Sequence, residues 1–194
     1  TDTRKGSELQ EPLATLTWLP PPANLQGLTG MANGVMAGFF DATVCFCEPF
    51  TPYAWPVEYQ LTVKYPIIGM GSYGQTLFAG TRGSAYLISG ADSASMSAQE
   101  LPSSQSCSSA RSIVSVENGV LYASPDGICL ADYTGVKVIT DGLFTRVDWQ
   151  AMNPSSIYAA LHDGAYYFIF SGTDPYGTTG GCYALDFKSQ KLIR

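Results

Sequence analysis

Residues 118–131 read Asn-Gly-Val-Leu-Tyr-Ala-Ser-Pro-Asp-Gly-Ile-Cys-Leu-Ala: a turn dipeptide, an apolar run, a second turn and a second apolar run. Asn-Gly favours a two-residue hairpin turn, because both residues tolerate a positive φ angle. Short apolar runs bounded by Gly, Pro, Asn and Asp are typical of β-strands. The segment therefore predicts two antiparallel strands, 120–123 and 127–131, joined by a tight turn.

The same layout occurs four times in the chain. Three further segments begin at Asn33-Gly34, Tyr73-Gly74 and Asp163-Gly164, and each continues into two apolar runs. The four glycines, which include Gly119, are separated by 40, 45 and 45 residues. Another strand-like run precedes each dipeptide, and a further one follows in the first repeat (57–63) and the third (135–139). The pattern indicates about four short strands for every 40 to 45 residues.

A repeat of this size is typical of the blades of a β-propeller. One four-stranded blade cannot bury both of its faces alone, so neighbouring blades stack around an axis. The alternative is a β-sandwich, whose strands need no such long period. The sequence favours an all-β fold, a β-propeller-like array of about four antiparallel blades, and we expect these blades to belong to a larger ring.

The repeats set the domain boundaries. We expect residues 1–24 to form an N-terminal arm or linker, with a stiff strap at Pro20-Pro21-Pro22, and residues 25–194 to form the propeller-like domain, a fragment of a longer chain. Helix signals are weak: 144–152 predicts about two turns, ended by Asn153-Pro154. The Ser-rich stretch 92–112 is expected to connect two blades.

Composition limits the partners. The chain of 194 residues has a formal net charge of −6, and charged residues make up only 13% of it. An acidic chain with few basic residues is a poor electrostatic match for nucleic acid or anionic membranes. No apolar run reaches the roughly 18 residues of a membrane-spanning helix. We therefore expect no specific nucleic-acid binding and no membrane insertion.

The reactive side chains do not form a recognisable catalytic or metal-binding pattern. Cys45 and Cys47 share one face of a predicted strand, but no second cysteine pair accompanies them, and His162 is the only histidine. Small buried apolar residues are the simpler interpretation of these thiols. The G-x-G-x-x-G match at 69–74 runs into a strand rather than the helix that a dinucleotide site requires. The sequence predicts no enzyme activity, no catalytic residue, no metal and no cofactor.

One loop stands out as a candidate interface. Residues 48–56 read Glu-Pro-Phe-Thr-Pro-Tyr-Ala-Trp-Pro, three aromatic residues among three prolines. Proline lowers the conformational entropy of the unfolded chain, and rigid exposed aromatic side chains suit contact with a partner. Phe50, Tyr53 and Trp55 are the candidate contact residues. The alternative is that Trp55 packs against its own blade.

At this loop the sequence resembles a set of virion structural proteins encoded by tailed phages and prophages. The matching segments begin at Trp18 and are Pro20-Pro21-Pro22, 25–28, 47–49, 52–56, 90–97, 111–114 and 122–127. The resemblance implies a tail component such as the propeller-bearing nozzle, or tail tubular, proteins of short-tailed phages. It implies other virion proteins as partners, a homo-oligomer in the particle, and assembly in the bacterial host cytoplasm. It carries over no catalytic residue.

A second function class remains open. Tyrosine and tryptophan side chains stack on sugar rings, and the ends of propellers are concave. A carbohydrate-binding or carbohydrate-cleaving propeller of a host-receptor module is the alternative. A pocket with two carboxylates and an exposed aromatic ring favours this alternative, whereas flat apolar blade edges favour the structural protein.

Overall fold

The computed structural model describes residues 18–186, 189 and 191–193. Residues 1–17 of the expected N-terminal arm lie outside the described residues. The described chain consists of four separate four-stranded antiparallel sheets, each formed by strands that are consecutive in sequence. This arrangement confirms the all-β array of four blades and replaces the β-sandwich alternative, which requires two large sheets facing each other.

Each blade is a meander whose strands pair in chain order. Blade 1 contains β1 (Gln26–Gly30), β2 (Met36–Phe40), β3 (Thr43–Phe46) and β4 (Gln60–Thr62). Blade 2 contains β5 (Ile67–Tyr73), β6 (Thr76–Thr81), β7 (Tyr86–Ser89) and β8 (Ser97–Glu100). Blade 3 contains β9 (Val114–Val116), β10 (Gly119–Ser124), β11 (Gly127–Asp132) and β12 (Gly135–Val138). Blade 4 contains β13 (Tyr158–His162), β14 (Ala165–Thr173), β15 (Thr179–Asp186) and β16 (Lys191–Ile193).

Helix is scarce among the described residues. The single α-helix, α1 (Arg146–Ala151), lies within the predicted 144–152, and Thr145 caps it by accepting a hydrogen bond from the Asp148 backbone N–H. Four 3₁₀ turns cover Val57–Tyr59, Ser93–Ser95, Ala110–Ser112 and Pro154–Ser156.

The core lies between the blades. Three apolar clusters join blade 1 to blade 2, blade 2 to blade 3, and blade 3 to blade 4. In the part of the chain that the structure describes, no such cluster joins blade 4 back to blade 1. The first strands of consecutive blades, β1, β5, β9 and β13, contact one another and form the inner edge of the array.

Polar contacts link the inner strands of the first three blades. The Ser72 hydroxyl on β5 donates to the Gly30 carbonyl oxygen on β1 at 2.7 Å. The backbone N–H of Ser72 donates to Ser115 Oγ on β9 at 3.1 Å. Ser72 of blade 2 is therefore hydrogen-bonded to both neighbouring blades, blade 1 and blade 3.

Three local predictions need correction. The Ser-rich stretch 92–112 contains β8, because the backbone of Ser97–Glu100 pairs with β7 although all four side chains are exposed. The stretch 57–63 begins with a 3₁₀ turn after Pro56, so the strand is confined to Gln60–Thr62. Gly119 does not adopt a positive φ; it lies inside β10, where a Cβ atom would meet the carbonyl oxygen of Ala131 at 2.5 Å. Gly34, Gly74 and Gly164 do adopt positive φ angles, as the hairpin interpretation requires.

Candidate functional site

The aromatic loop of residues 48–56 is held by its own backbone. The Glu48 N–H donates to the Ala54 carbonyl at 2.8 Å, and the Ala54 N–H donates to the Thr51 carbonyl at 3.0 Å. The Phe50 N–H donates to the Gly34 carbonyl at 2.8 Å, which fastens the loop to the first hairpin turn. The loop therefore has a fixed conformation on blade 1.

Of the three aromatic residues in the loop, one is buried and two are exposed. Trp55 is only 3% exposed, and its indole N–H donates to the Pro52 carbonyl at 2.8 Å. Its ring packs with Cys45 and Cys47. The contact role expected for Trp55 is therefore replaced by the packing role that was its alternative, because almost all of its side chain is buried.

Phe50 and Tyr53 point to solvent. Phe50 is 82% exposed and Tyr53 is 62% exposed. The Tyr53 ring lies 5.3 Å from the Trp18 ring, centroid to centroid, in a tilted arrangement. These side chains stay the candidate contact residues, and we call Trp18, Phe50 and Tyr53 the aromatic platform.

An apolar cleft adjoins the platform. Its volume is about 210 Å³, and it is lined by Pro21, Pro22, Leu25, Leu28, Met36, Pro52 and Trp55. The segment before β1 forms one wall, and the Trp55 N–H donates to the Leu19 carbonyl at 2.8 Å. The proline strap therefore packs on blade 1, and the cleft remains open beside it.

The cysteine pair is buried. Burial raises the pKa of the Cys45 thiol to about 11, and burial also raises the pKa of Cys47, whose sulfur accepts a hydrogen bond from the Met36 N–H at 3.0 Å. Both side chains act as small apolar groups against Trp55. Over the described residues, no group of three or more His, Cys, Asp or Glu side chains is arranged to hold a metal ion.

A second cleft lies where blade 3 meets blade 4. Its volume is about 430 Å³, and it is lined by Val116, Glu117, Asn118, Leu130, Asp132, Leu161 and Gly164. Two carboxylates and an amide stand beside three aliphatic side chains, which is a mixed surface suited to a small polar ligand. The Asp132 carboxylate accepts hydrogen bonds from the Thr134 N–H at 2.7 Å and from the Thr134 hydroxyl at 2.5 Å. His162 stands at the exposed end of β13, with its ring 6.3 Å from the Tyr167 ring.

Sequence reasoning missed an exposed apolar face on blade 4. Strand β14 contains the run Tyr166-Tyr167-Phe168-Ile169-Phe170, in which apolar residues occupy both faces of the sheet. Tyr166, Phe168 and Phe170 are buried against blade 3, whereas Ile169 is 56% exposed. A continuous apolar run is typical of a strand that is covered on both sides, and this is the signal that could have identified the face.

Among the described residues, no helix has the length and apolar character needed to cross a membrane. The sequence matches no protein-family model and no curated protein sequence.

The comparison with solved structures identifies the fold. BamB from Moraxella catarrhalis is similar with a TM-score of 0.52 at 14% identity, covering 88% of this chain and 52% of that one. AztD from Citrobacter koseri is similar with a TM-score of 0.51 at 15% identity, covering 88% of this chain and 46% of that one. Both are β-propellers. The chain therefore has a β-propeller fold and spans about half the length of the propellers it matches.

Proposed function

We propose that this chain is a non-enzymatic structural protein of a tailed-phage or prophage virion, a tail or nozzle-type component that works through subunit contacts. The observation that carries the proposal is the aromatic platform, where Phe50 and Tyr53 are exposed on a loop that is fixed by its own hydrogen bonds. Rigid aromatic side chains give large contact area at low entropic cost, and they are enriched in interfaces. Its location is then the virion, after assembly in the host cytoplasm.

The low charge of the chain also supports a surface that neighbours cover. Charged residues make up 13% of the sequence, and interface cores are depleted in charge and enriched in aromatic residues. From Trp18 to Val63, the region that carries the platform, the sequence has three acidic residues and no basic one. The partners are other virion proteins with an apolar contact surface.

Incorporation into particles tests this proposal. The wild-type chain and the double variant Phe50→Ser/Tyr53→Ser are supplied to a strain that produces the particle, and purified particles are analysed by mass spectrometry. We expect the wild-type chain at a fixed copy number, and the double variant at no more than about a tenth of that level, because several kcal/mol of contact are lost. Tyr133→Ser is the matched control, since Tyr133 is also 82% exposed but lies on the turn between β11 and β12.

Either of two results would contradict the virion proposal. One is the absence of the wild-type chain from purified particles. The other is normal incorporation of a folded Phe50→Ser/Tyr53→Ser variant, which would exclude the platform as the contact.

The cleft between blades 3 and 4 has the two carboxylates but no aromatic ring among its lining residues, and it makes a carbohydrate-binding propeller the second candidate. Glu117 and Asp132 supply acceptors for sugar hydroxyl groups, and Leu130 and Leu161 supply an apolar wall. Glycan-array binding by the purified chain tests it, with Glu117→Gln/Asp132→Asn as the variant. Binding that the variant loses supports the carbohydrate function, and an array with no signal excludes it.

A further inference from the structure

A third cleft lies at the opposite end of the boundary between blades 3 and 4. Its volume is about 450 Å³, which is within the range of small-ligand sites. Arg111 precedes β9 and Tyr158 begins β13, so this cleft lies where the two inner strands begin. The cleft that holds Glu117 and Asp132 lies where they end, since Glu117 follows β9. The two clefts are therefore separate sites.

The third cleft has a positive charge that no carboxylate neutralises. It is lined by Arg111, Tyr158, Ala110 and five serines, and we call it the serine cleft. Arg111 is the one charged residue of this lining. Among the described residues, the ion pair of Arg146 with Asp126 is the only one, so no described carboxylate pairs with Arg111. Its guanidinium group is therefore available to an anionic ligand.

The guanidinium group of Arg111 lies on an aromatic ring. Its central carbon is 4.4 Å from the centroid of the Tyr158 ring, which is a cation–π contact between the segment before β9 and the first residue of β13. The contact uses the flat face of the guanidinium group and leaves the N–H groups at its edge for hydrogen bonds. Tyr158 thus restricts the directions in which Arg111 can donate.

The backbone beneath Arg111 is fixed by buried hydroxyl groups. Arg111 belongs to the 3₁₀ turn that ends at Ser112. The Ser109 hydroxyl donates to the Ile157 carbonyl at 2.7 Å, and the Tyr166 hydroxyl donates to the Ser112 carbonyl at 2.7 Å. Both bonds join the segment before β9 to blade 4 or to the turn that leads into it. The site is therefore formed before any ligand binds, which lowers the entropic cost of binding.

Two hydroxyl groups of the serine cleft can donate to a ligand. Over the part of the chain that the structure describes, the Ser108 side chain makes no hydrogen bond. The Ser171 oxygen accepts a bond from the Asn153 side-chain amide at 3.3 Å, while its own hydrogen has no acceptor among the described residues. The cleft therefore presents one guanidinium group and two hydroxyl donors.

A smaller polar cleft adjoins the serine cleft. Its volume is about 250 Å³, it shares Ser108 and Ser155 with the serine cleft, and it adds the side-chain amides of Gln150 and Asn153. Hydroxyl and amide groups both donate and accept hydrogen bonds. Such a lining suits a ligand body that itself carries several hydroxyl groups, as a sugar does.

We propose that the serine cleft binds a phosphorylated sugar, with the phosphate group on Arg111 and the sugar in the adjoining cleft. A phosphate group has three acceptor oxygens that point in different directions. They match the two parallel N–H groups of an arginine together with the Ser108 and Ser171 hydroxyls. A carboxylate has only two oxygens in one plane and leaves one of these donors unused. The inference goes beyond the virion proposal and needs only the purified chain, so either can fail without the other.

Isothermal titration calorimetry with glucose 6-phosphate tests the site. We expect the wild-type chain to bind with a dissociation constant below about 1 mM, and Arg111→Gln to raise this constant at least about tenfold, because charge-assisted hydrogen bonds are lost. Arg82→Gln is the matched control, since Arg82 is exposed between β6 and β7 and its replacement removes the same charge. We expect less than a change of about twofold there. Far-ultraviolet circular dichroism establishes that each variant is folded.

Three further ligands separate the parts of the proposal. Inorganic phosphate tests the anion alone, glucose tests the sugar alone, and glucuronate replaces the phosphate by a carboxylate. We expect each to bind the wild-type chain at least about tenfold more weakly than glucose 6-phosphate does. Inorganic phosphate that binds as tightly as glucose 6-phosphate would overturn the sugar as the ligand body. Glucuronate that binds as tightly would overturn the phosphate as its anionic group.

Ser108→Ala tests the hydroxyl donor in a variant that loses no hydrogen bond of the described chain. We expect binding of glucose 6-phosphate to weaken at least about threefold, because one donor to a charged oxygen is removed. Tyr158 is a positioning residue, so Tyr158→Phe should bind as the wild type does and Tyr158→Ala should bind more weakly. The proposal is overturned if the wild-type chain shows no binding of glucose 6-phosphate at about 10 mM. It is also overturned if a folded Arg111→Gln chain binds as the wild type does, or if Arg82→Gln weakens binding equally.

Discussion

The hydroxyl group of Ser72 donates a hydrogen bond to the carbonyl oxygen of Gly30 across the boundary between blades 1 and 2, at 2.7 Å. Apolar side chains such as Phe39 and Leu77 pack at this boundary. Three further hydrogen bonds cross it, from the Ala32 N–H to the Gly74 carbonyl at 3.0 Å, from the Ile67 N–H to the Asp41 carbonyl at 2.8 Å and from the Ser93 hydroxyl to the Cys47 carbonyl at 2.6 Å. Together these bonds fix how far one blade lies along the next, which a purely apolar contact does not specify. The blades therefore stack with a defined register.

Removal of this hydroxyl should weaken the stack. We expect Ser72→Ala to lower the free energy of unfolding by about 1 kcal/mol, because a partly exposed carbonyl loses its partner. Urea denaturation followed by tyrosine and tryptophan fluorescence measures the change. Ser97→Ala is the control, since the Ser97 hydroxyl bonds only within its own blade, and we expect a change below about 0.5 kcal/mol there. Equal losses in both variants would show that the bond between blades has no special role.

The two middle strands of a blade could be predicted from sequence because their signals are local. Turn residues followed by an apolar run specify β10 and β11 without any knowledge of their neighbours, although Gly119 itself lies in β10 and not in the turn. Strand β8 could not be found in this way, because Ser97–Glu100 has no apolar residue to bury except Ala98, which is exposed. It is an edge strand that is held by backbone pairing with β7. Backbone pairing does not require any particular side chains, so the sequence does not reveal it.

The aromatic residues of the loop show the same limit of prediction from sequence. Sequence identifies Phe50, Tyr53 and Trp55 as a group, but it cannot tell which ring faces inward. That choice depends on the Pro52 carbonyl, which receives the indole N–H of Trp55, and on the Leu19 carbonyl, which receives its backbone N–H. Pro52 belongs to the same loop and Leu19 to the segment before β1, and the positions of both carbonyls follow only from the folded blade.

Stability measurements distinguish the buried Trp55 from the exposed Tyr53. We expect Trp55→Ala to lower the free energy of unfolding by about 3–5 kcal/mol, because it opens a cavity in the core of blade 1 and removes the indole donor. Tyr53→Ala should cost no more than about 0.5 kcal/mol, since most of its ring is already in water. Urea denaturation of both variants gives the comparison. A Trp55→Ala chain as stable as the wild type would contradict the packing role.

Gly172 lies where β14 passes the end of α1. A Cβ atom at this position would fall on the backbone carbonyl oxygen of Ala151, and the Gly172 N–H donates to the Met152 carbonyl at 3.1 Å. Because backbone cannot move aside cheaply, we expect Gly172→Ala to destabilise the chain by at least about 3 kcal/mol. Gly30→Ala is the control, since a Cβ atom there meets nothing within 4 Å. Thermal unfolding curves that are the same for both variants would refute this close approach.

The buried thiols predict a loss of stability at alkaline pH. Burial raises the pKa of Cys107 to about 12 and that of Cys129 to about 11, from an ordinary value of 9.0. The folded chain keeps these protons after the unfolded chain has released them, so the free energy of unfolding falls as pH rises above 9. Stability from these groups is complete below pH 9 and is lost between pH 9 and about 11 to 12.

Urea denaturation at a series of pH values measures this effect. We expect each buried thiol to contribute a slope of up to about 1.4 kcal/mol per pH unit above its unfolded pKa. The slope should be shallower in Cys107→Ala than in the wild type. A stability that is constant up to pH 11, or a slope that Cys107→Ala leaves unchanged, would contradict burial of the thiols as its source.

The central claim is that the aromatic platform of Trp18, Phe50 and Tyr53 is a contact surface of this chain in an assembled particle. Mass spectrometry of purified particles tests it most directly. The account predicts the wild-type chain at a fixed copy number and the folded Phe50→Ser/Tyr53→Ser variant at no more than about a tenth of that level. Incorporation of this variant at the wild-type level would contradict it.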